Sequence, residues 1–203
     1  MKLRERQQEA TRKAILDALG EVVTEAGAIE FSIQEVADRA GVSHRTVYNH
    51  FPTRTALNDA FAQHAEHELL ALFPGRRPPE EGAPLDAWPQ IVEQTYRAFD
   101  EVERPTRAYV MLMLASRSAA KLTRKRTKRV EQALDSEFGP LPPGAARQVT
   151  AALRMFASTT GWHVLTEQLK LSTDEAGAVA SWVMAMVIDQ VRKGNVPRPK
   201  GKL

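Results

Sequence analysis

The stretch from Phe31 to Leu57 reads FSIQEVADRAGVSHRTVYNHFPTRTAL, and it predicts two short helices joined by a tight turn. Ser32 and Glu35 have the spacing of a capping box, in which the serine oxygen and the glutamate each accept a free backbone N–H at the start of a helix. Gly41 tolerates the left-handed conformation that ends this first helix. Ser43 is a second N-cap and opens a helix to about residue 50. Two short helices with a glycine turn between them are the pattern of a helix-turn-helix.

Outside this stretch the sequence predicts an all-α protein. Strand-like alternation bounded by hairpin turns is nearly absent, whereas apolar residues recur at helical spacing. A long helix from about residue 4 to residue 26 precedes the motif, and Thr53 caps a long fourth helix. Residues 74–87 are rich in Pro and Gly and predict a loop. Further helices are predicted at about 88–103, 106–119, 121–138, 144–170 and 173–193.

Composition excludes several classes of protein. The chain has 203 residues, of which 43% are hydrophobic and 26% charged, as in globular domains. It has no cysteine, which excludes disulfides, thiolate metal sites and a cysteine nucleophile. No apolar run approaches the ~18 residues of a membrane span, and the charged N-terminus lacks the apolar core of a signal peptide. We therefore expect a cytoplasmic protein that starts at or near Met1 and does not enter a membrane.

Two runs within the motif, Gly41-Val42-Ser43 and TVYNHFPTRTAL from Thr46 to Leu57, resemble the TetR family of bacterial repressors. The resemblance covers residues 8–60, and the Tyr-x-His-Phe ending is its most specific part. It implies an N-terminal three-helix DNA-binding domain with a helix-turn-helix over residues 1–55. A larger helical ligand-binding and dimerisation domain is then expected over residues 56–193, followed by a disordered basic tail over residues 194–203.

The resemblance also implies which side chains meet DNA. Residues at the start of the second motif helix sit where the family reads bases and nearby phosphates, and later ring groups sit where it contacts the phosphodiester backbone. Arg54 stands where the family usually has a phosphate-binding Lys. Arg45 departs from the small residue common in the family, and either a guanine contact or a phosphate clamp fits it. The expected DNA-binding set is Ser43, His44, Arg45, Thr46, Tyr48, Asn49, His50 and Arg54. A solvated surface position is the alternative for His44.

Aromatic and Met residues on several helices of the second domain predict an apolar pocket, although ordinary core is the alternative for each of them. The expected effector is a small, mostly apolar molecule, with a few polar groups met by Tyr96, Thr159 or His163. Trp88 follows the Pro/Gly-rich loop, so that loop could gate entry. The expected ligand-binding set is Trp88, Tyr96, Phe99, Met111, Met113, Phe156, Thr159, Trp162 and His163.

Apolar faces on the last two helices predict a homodimer that binds palindromic double-stranded operator DNA. The alternative is a monomer in which these faces pack internally. The predicted interface includes Ala152, Met155, Ser158, Thr159 and Trp162 on one helix, and Val179, Ala180, Val183, Met184, Val187 and Val191 on the other. Trp182 and Met186 lie on a neighbouring face and could join it.

Two basic segments have open roles. The arm over residues 1–13 fits either a phosphate contact or a solvated helix end. Residues 117–129 carry seven basic groups and no acid. Because the resemblance holds the second domain away from the duplex, this run is expected to be a solvated face, with an anionic ligand or a partner protein as the alternatives.

No pattern typical of an enzyme stands out. His64, His67 and Glu68 share a helix, as do His163 and Glu167, but neither set has a third metal ligand in sequence. Phosphate and dinucleotide loops are absent. We therefore expect no catalytic residue, no metal and no cofactor. The alternatives to a ligand-responsive repressor are a helical enzyme and an architectural DNA-binding protein without a sensor pocket.

Overall fold

The computed structural model describes residues 3–26, 31–71, 82–115 and 119–197, and these residues form helices and no strand, which confirms the all-α prediction. A 3-10 turn at Leu85–Ala87 precedes the helix at Trp88–Glu101, and a π-helical turn at Val164–Gln168 follows the helix at Thr159–His163. The helices are α1 (Leu3–Ala26), α2 (Ile33–Arg39), α3 (His44–His50), α4 (Arg54–Ala71), α5 (Trp88–Glu101), α6 (Glu103–Ala115), α7 (Ala119–Phe138), α8 (Pro143–Phe156), α9 (Thr159–His163) and α10 (Thr173–Arg192).

The chain divides into two compact units. The N-terminal unit comprises Met1–Pro74 and Val102–Ala120, and within it α1 packs against α2, α4 and α6. Its apolar core includes Ile15, Leu19, Val36, Val47, Phe51, Leu57, Phe61 and Tyr109. Because α4 and α6 share this core, the packing unit extends beyond residue 55. The prediction that the DNA-binding domain ends at residue 55 is a statement about function. Packing does not test it, so it stays a prediction.

The C-terminal unit comprises Gly75–Glu101 and Lys121–Leu203, and its main helix pair is α5 against α10. Gly177 lies at this contact, and a Cβ built there would meet the Cα of Glu93 at an ordinary contact distance of 3.4 Å. The largest fully buried side chains of the unit include Trp88, Tyr96, Leu134, Leu153, Trp162 and Met184. Residues 198–203 of the predicted tail and 74–81 of the predicted loop lie outside the described residues.

The single helix predicted over residues 144–170 is wrong, because it breaks after Phe156. Ser158 caps α9 by accepting a hydrogen bond from the Gly161 N–H (3.0 Å), and its hydroxyl donates to the carbonyl of Met155 (2.8 Å). The Tyr96 hydroxyl donates to the carbonyl of Phe156 (2.9 Å). The break is stable because side chains satisfy carbonyls that helical hydrogen bonds no longer reach.

Two kinds of feature are missing from the part of the chain that the structure describes. No helix there is both long and apolar enough to cross a bilayer. No group of three His, Cys, Asp or Glu side chains there is arranged to hold a metal ion. His64 instead contacts a single carboxylate, with 3.0 Å between its Nε2 and Oδ1 of Asp17.

Candidate nucleic-acid interface

The helix-turn-helix forms as its sequence predicts. Ser32 and Glu35 make both hydrogen bonds of the capping box, at 3.0 Å to the Glu35 N–H and 2.7 Å from the Ser32 N–H. Gly41 has a positive φ of 66°, which a side chain would disfavour. Ser43 caps α3 by accepting a hydrogen bond from the Thr46 N–H at 3.1 Å. These local contacts fix the start of α3 and so fix the direction of its side chains.

Helix α3 has one anchored face and one exposed face. Val47 is completely buried in the core of the N-terminal unit. On the other side, His44, Arg45, Tyr48 and Asn49 are exposed, with Tyr48 at 42%. Of Arg45, Thr46 and Tyr48, which were expected to point outward together, Arg45 and Tyr48 are exposed and Thr46 is half-buried. An α-helix presenting such a polar face can enter the major groove, where Arg and Asn can bond base edges.

Four of the predicted residues at the N-cap and within α3 contact one another in pairs. The hydroxyls of Ser43 and Thr46 lie 2.8 Å apart and share a hydrogen bond. The rings of His44 and Tyr48 meet edge to face with centroids 4.9 Å apart. This ring contact limits the rotamers of Tyr48 and so holds its phenol group on the exposed face. Phe51 is 3% exposed and belongs to the core of the N-terminal unit.

Arg54, the predicted phosphate-binding residue at the start of α4, lies over an aromatic ring. Its guanidinium carbon is 4.0 Å from the ring centroid of Phe31, which is itself 6% exposed. Cation–π contact of this kind keeps a guanidinium charged while restricting its motion. Phe31 therefore restricts the Arg54 side chain and leaves its positive charge in place.

A groove between α1 and α3 adds a residue that the motif did not single out. Arg12 lies with its guanidinium carbon 4.6 Å from the ring centroid of Phe51. The groove is lined by Glu5, Gln8, Glu9 and Arg12 of α1 and by Thr46, Asn49 and His50 of α3. The signal was available in the sequence, because Arg12 shares the helical face of Leu16 and Leu19, which point into the motif's core.

An ion-pair network ties α2 to α1 and steadies the motif. Arg39 donates to Glu25 at 2.6 and 2.8 Å and to Glu21 at 3.1 Å. These bonds, with the Glu25 bonds first, raise the pKa of Arg39, and the Arg39 bond lowers the pKa of Glu25. All three side chains are partly exposed, so the network orients α2 more than it stabilises the fold.

The predicted ligand-binding residues fall into both units. Tyr96, Phe99 and Trp162 form a ring cluster in the C-terminal unit, with centroids 6.3 Å apart for Tyr96–Phe99 and 6.0 Å for Phe99–Trp162. Met111 and Met113 instead pack against the core of the N-terminal unit. The remaining predicted residues, all in the C-terminal unit, are Trp88, Phe156, Thr159 and His163.

The polar atoms of the buried rings Tyr96, Trp88 and Trp162 differ in whether they have a hydrogen-bond partner. The Tyr96 hydroxyl is used at the α8–α9 break, and burial raises the pKa of Tyr96, so its phenol stays neutral. The Trp88 Nε1 donates to the carbonyl of Ala83 at 3.0 Å. The Trp162 Nε1 is buried and has no hydrogen-bond acceptor among the described residues, although Trp162 is only 1% exposed. A buried N–H donor without an acceptor lowers the stability of the fold. A ligand that supplies an acceptor to the Trp162 Nε1 would remove this cost and so gain affinity.

The predicted dimer face of α10 is partly wrong in its register. Ala180, Met184 and Val191 are buried inside the C-terminal unit, where α10 packs mainly on α5. Thr159 and Trp162, predicted for the same interface, are also buried. Met155 of the predicted set is 43% exposed, and Trp182 and Met186, which were expected to be able to join the interface, are 66% and 43% exposed. Helical periodicity located an apolar face correctly but could not tell an internal neighbour from a partner.

Comparison with known proteins supports a regulatory family. Residues 15–61 match the sequence profile of the family described as bacterial regulatory proteins, tetR family. Comparison with curated protein sequences gives no match.

Several solved structures share the fold. NalD, the secondary repressor of the MexAB-OprM multidrug efflux pump in Pseudomonas aeruginosa, is 20% identical over 96% of this chain and 100% of its own, with a TM-score of 0.63. SmeT, the repressor of the Stenotrophomonas maltophilia multidrug efflux pump SmeDEF, is 22% identical over 88% and 91%, also with a TM-score of 0.63. The multidrug binding protein EbrR, complexed with imidazole, is 19% identical over 98% and 94%, with a TM-score of 0.62.

The matched residues 15–61 contain the whole helix-turn-helix, and the structural likeness extends over both units. The N-terminal helices of this chain are thus similar to the tetR family of bacterial regulatory proteins, and the chain as a whole shares its fold with solved structures of transcriptional regulators.

Proposed function

We propose that this chain is a repressor that binds a palindromic operator as a homodimer and is released by a small, mostly apolar molecule. The observation that carries the proposal is the exposed face of α3, where Arg45, Tyr48 and Asn49 stand opposite the buried Val47. Arg45 and Asn49 are suited to base edges. Ser43, His44, Thr46, Tyr48, His50 and Arg54 are suited to phosphates and to groups next to them.

Single substitutions test the division of roles. Arg45→Ala should weaken operator binding by about 5- to 150-fold and relax the preference at one base pair. Arg54→Ala and Tyr48→Phe should weaken binding to all duplexes alike, because phosphates carry no sequence. Arg97→Ala is the control, since this arginine is exposed in the C-terminal unit and bonds Asp174 at 2.7 Å. Fluorescence anisotropy at several salt concentrations measures each affinity. If Arg54→Ala and Tyr48→Phe both bind as the control does at low salt, the phosphate assignment fails.

The homodimer part of the proposal is supported by the exposed apolar surface of α10 and α8. Trp182 and Met186 are one helical turn apart on α10, and Met155 is similarly exposed on α8. Large exposed side chains in a patch are typical of an interface. A two-fold dimer would present two α3 helices about 34–36 Å apart, which is the spacing that a palindromic site requires.

Sedimentation velocity tests the dimer. Wild type should sediment as a dimer, and Trp182→Glu should shift it toward monomer while keeping its helical circular dichroism. Gln132→Glu on the exposed side of α7 adds the same charge elsewhere and should stay dimeric. A monomeric wild type at micromolar concentration would overturn this part of the proposal.

The effector part is supported by the ring cluster of Tyr96, Phe99 and Trp162. Its rings offer apolar contact, and the unsatisfied Trp162 Nε1 offers one directed donor. We therefore propose an apolar effector that carries a hydrogen-bond acceptor such as a carbonyl or ether oxygen. NalD and SmeT, which share the fold, repress multidrug efflux pumps, and EbrR is a multidrug binding protein. An efflux-related role for this chain is consistent with those neighbours.

A thermal-shift screen of apolar compounds with and without acceptor oxygens tests the effector. Compounds with an acceptor should stabilise wild type and release it from its operator. Trp162→Phe keeps a ring but removes the donor, so it should lose the difference between the two classes of compound. Comparing shifts within each variant removes the effect of the variant's own stability. A screen in which no compound stabilises wild type would remove the sensor from the proposal.

A further inference from the structure

The N-terminal half of α7 carries a cationic face that the proposed operator contact does not include. Arg124, Lys125 and Lys128 are exposed there. The opposite side of the helix is fixed by Val130 and Leu134, which are 0% and 1% exposed. The rotation of α7 is therefore set by its core, and the three cations point to solvent.

These cations lack the carboxylate partners that other cations of the same unit have. None of the three forms an ion pair or hydrogen bond with another described residue. By contrast, the same unit contains close pairs of exposed cations with carboxylates, each at 2.7 Å: Arg97–Asp174, Arg192–Asp86 and Lys193–Asp189. No acidic residue occurs from position 117 to position 130. The sequence therefore offers these cations no carboxylate on the preceding turns of α7.

The order of charges along α7 is unfavourable for an isolated helix. Its first turn has no acidic residue and contains Lys121, while Glu131, Asp135 and Glu137 all lie toward its C-terminal half. The helix macrodipole favours the opposite order. Arg124 and Lys128 also form a like-charge pair at i, i+4, which is destabilising. The phosphates of a bound polyanion would attract each of these cations and so offset both repulsions.

We propose that this face of α7 binds the phosphate backbone of duplex DNA independently of sequence, in a binding event separate from operator recognition by α3. An exposed row of cations fits closely spaced phosphates, since duplex DNA carries one charge per about 1.7 Å of its axis. Residues 123–129 are only Thr, Lys and Arg, so the face has no apolar side chain to enter a bilayer. A small anion would need enclosing donors, which a convex helix face does not provide.

The test compares two triple variants of the full chain with equal loss of charge. One replaces the α7 cations (Arg124→Gln, Lys125→Gln, Lys128→Gln). The control replaces paired cations of the same unit (Arg97→Gln, Arg192→Gln, Lys193→Gln). Binding to a duplex of random sequence is measured against salt concentration. The α7 variant should reduce the slope of log K against log salt by about 2–3, because each lost phosphate contact reduces it by about 0.9. The control should keep the wild-type slope.

Three results would overturn the proposal. The first is an α7 variant whose salt slope and affinity equal those of the control. The second is loss of binding to phosphatidylglycerol vesicles with unchanged duplex binding, which would assign the face to a membrane. The third is a wild-type preference for inorganic phosphate that competes with duplex at millimolar concentration. An Arg45→Ala, Asn49→Ala double variant separates this proposal from operator recognition, because it removes the proposed base contacts and should lose operator preference while it keeps the α7-dependent slope.

Discussion

The α8–α9 corner gives the sharpest structural prediction, because one added methyl group must collide there. A Cβ at Gly161 would overlap the carbonyl oxygen of Met155 and would lie 2.9 Å from the Tyr96 hydroxyl. The first contact is with backbone that Ser158 also holds by a hydrogen bond. The second involves the hydroxyl that satisfies the carbonyl of Phe156. Gly161→Ala must therefore move backbone and disturb a buried hydrogen bond together.

The loss of stability expected for Gly161→Ala follows from these contacts. Overpacking of a close-packed site costs about 1–3 kcal/mol, and loss of the Tyr96 hydrogen bond adds about 1 kcal/mol. Alanine in place of a helical glycine raises the free energy of unfolding by up to about 1 kcal/mol, because alanine has the higher helix propensity. The net loss is about 1–3 kcal/mol, which lowers the Tm of a chain of this size by about 2–12 °C.

Thermal unfolding followed by circular dichroism measures the effect, and Gly177→Ala is the matched control. This second glycine is also helical, but a Cβ there meets Glu93 at an ordinary contact distance of 3.4 Å. It should leave the Tm unchanged or raise it by up to about 4 °C. If Gly161→Ala behaves as Gly177→Ala does, the corner is not packed as described and the reasoning is refuted.

Three further predictions concern single contacts. Tyr96→Phe should destabilise the fold by about 1–3 kcal/mol in urea titrations, because it leaves a buried carbonyl unpaired at the end of α8; a change below 0.5 kcal/mol would contradict the hydrogen bond. Hydrogen bonds from the Ser172 side chain and backbone lower the pKa of Glu175, so its ionised form stabilises the fold above the ordinary value of 4.5 and this contribution is lost as pH falls through the folded pKa. The Tm difference between wild type and Glu175→Gln should accordingly close on acidification, and a pH-independent difference would disprove the assignment. Phe31→Leu should lower DNA affinity by about 2- to 5-fold through a less ordered Arg54, since exposed cation–π contacts are worth about 0.5–1 kcal/mol; an unchanged affinity would mean that the ring does not position Arg54.

The helix-turn-helix could be predicted from sequence because its determinants are local. Ser32, Glu35 and Ser43 form hydrogen bonds with backbone groups within one helical turn. Gly41 is favoured by the positive φ at its own position. A local rule therefore gives the helix ends and the direction of Arg45. The exposed side of α3 follows from its opposite side, since Val47 is the one apolar residue on a short polar helix.

The C-terminal unit could be predicted only in part because its determinants are distant in sequence. Ser158 lies inside an apolar helical pattern, and the break there depends on the Tyr96 hydroxyl, which is 60 residues away from the carbonyl it bonds. The buried face of α10 likewise depends on α5, so sequence alone could not separate Met184 from Trp182 as core and surface. Met111 and Met113 matched the composition of a pocket, but α6 packs with the N-terminal unit.

Selection of bound duplexes from a random-sequence pool tests most directly whether the exposed face of α3 reads DNA. Wild type and Arg97→Ala should enrich the same inverted repeat. A variant with both Arg45→Ala and Asn49→Ala should enrich a repeat with altered bases in each half-site, or none. Enrichment of one identical motif by all three proteins, or of no motif by wild type even at low ionic strength, would contradict the assignment.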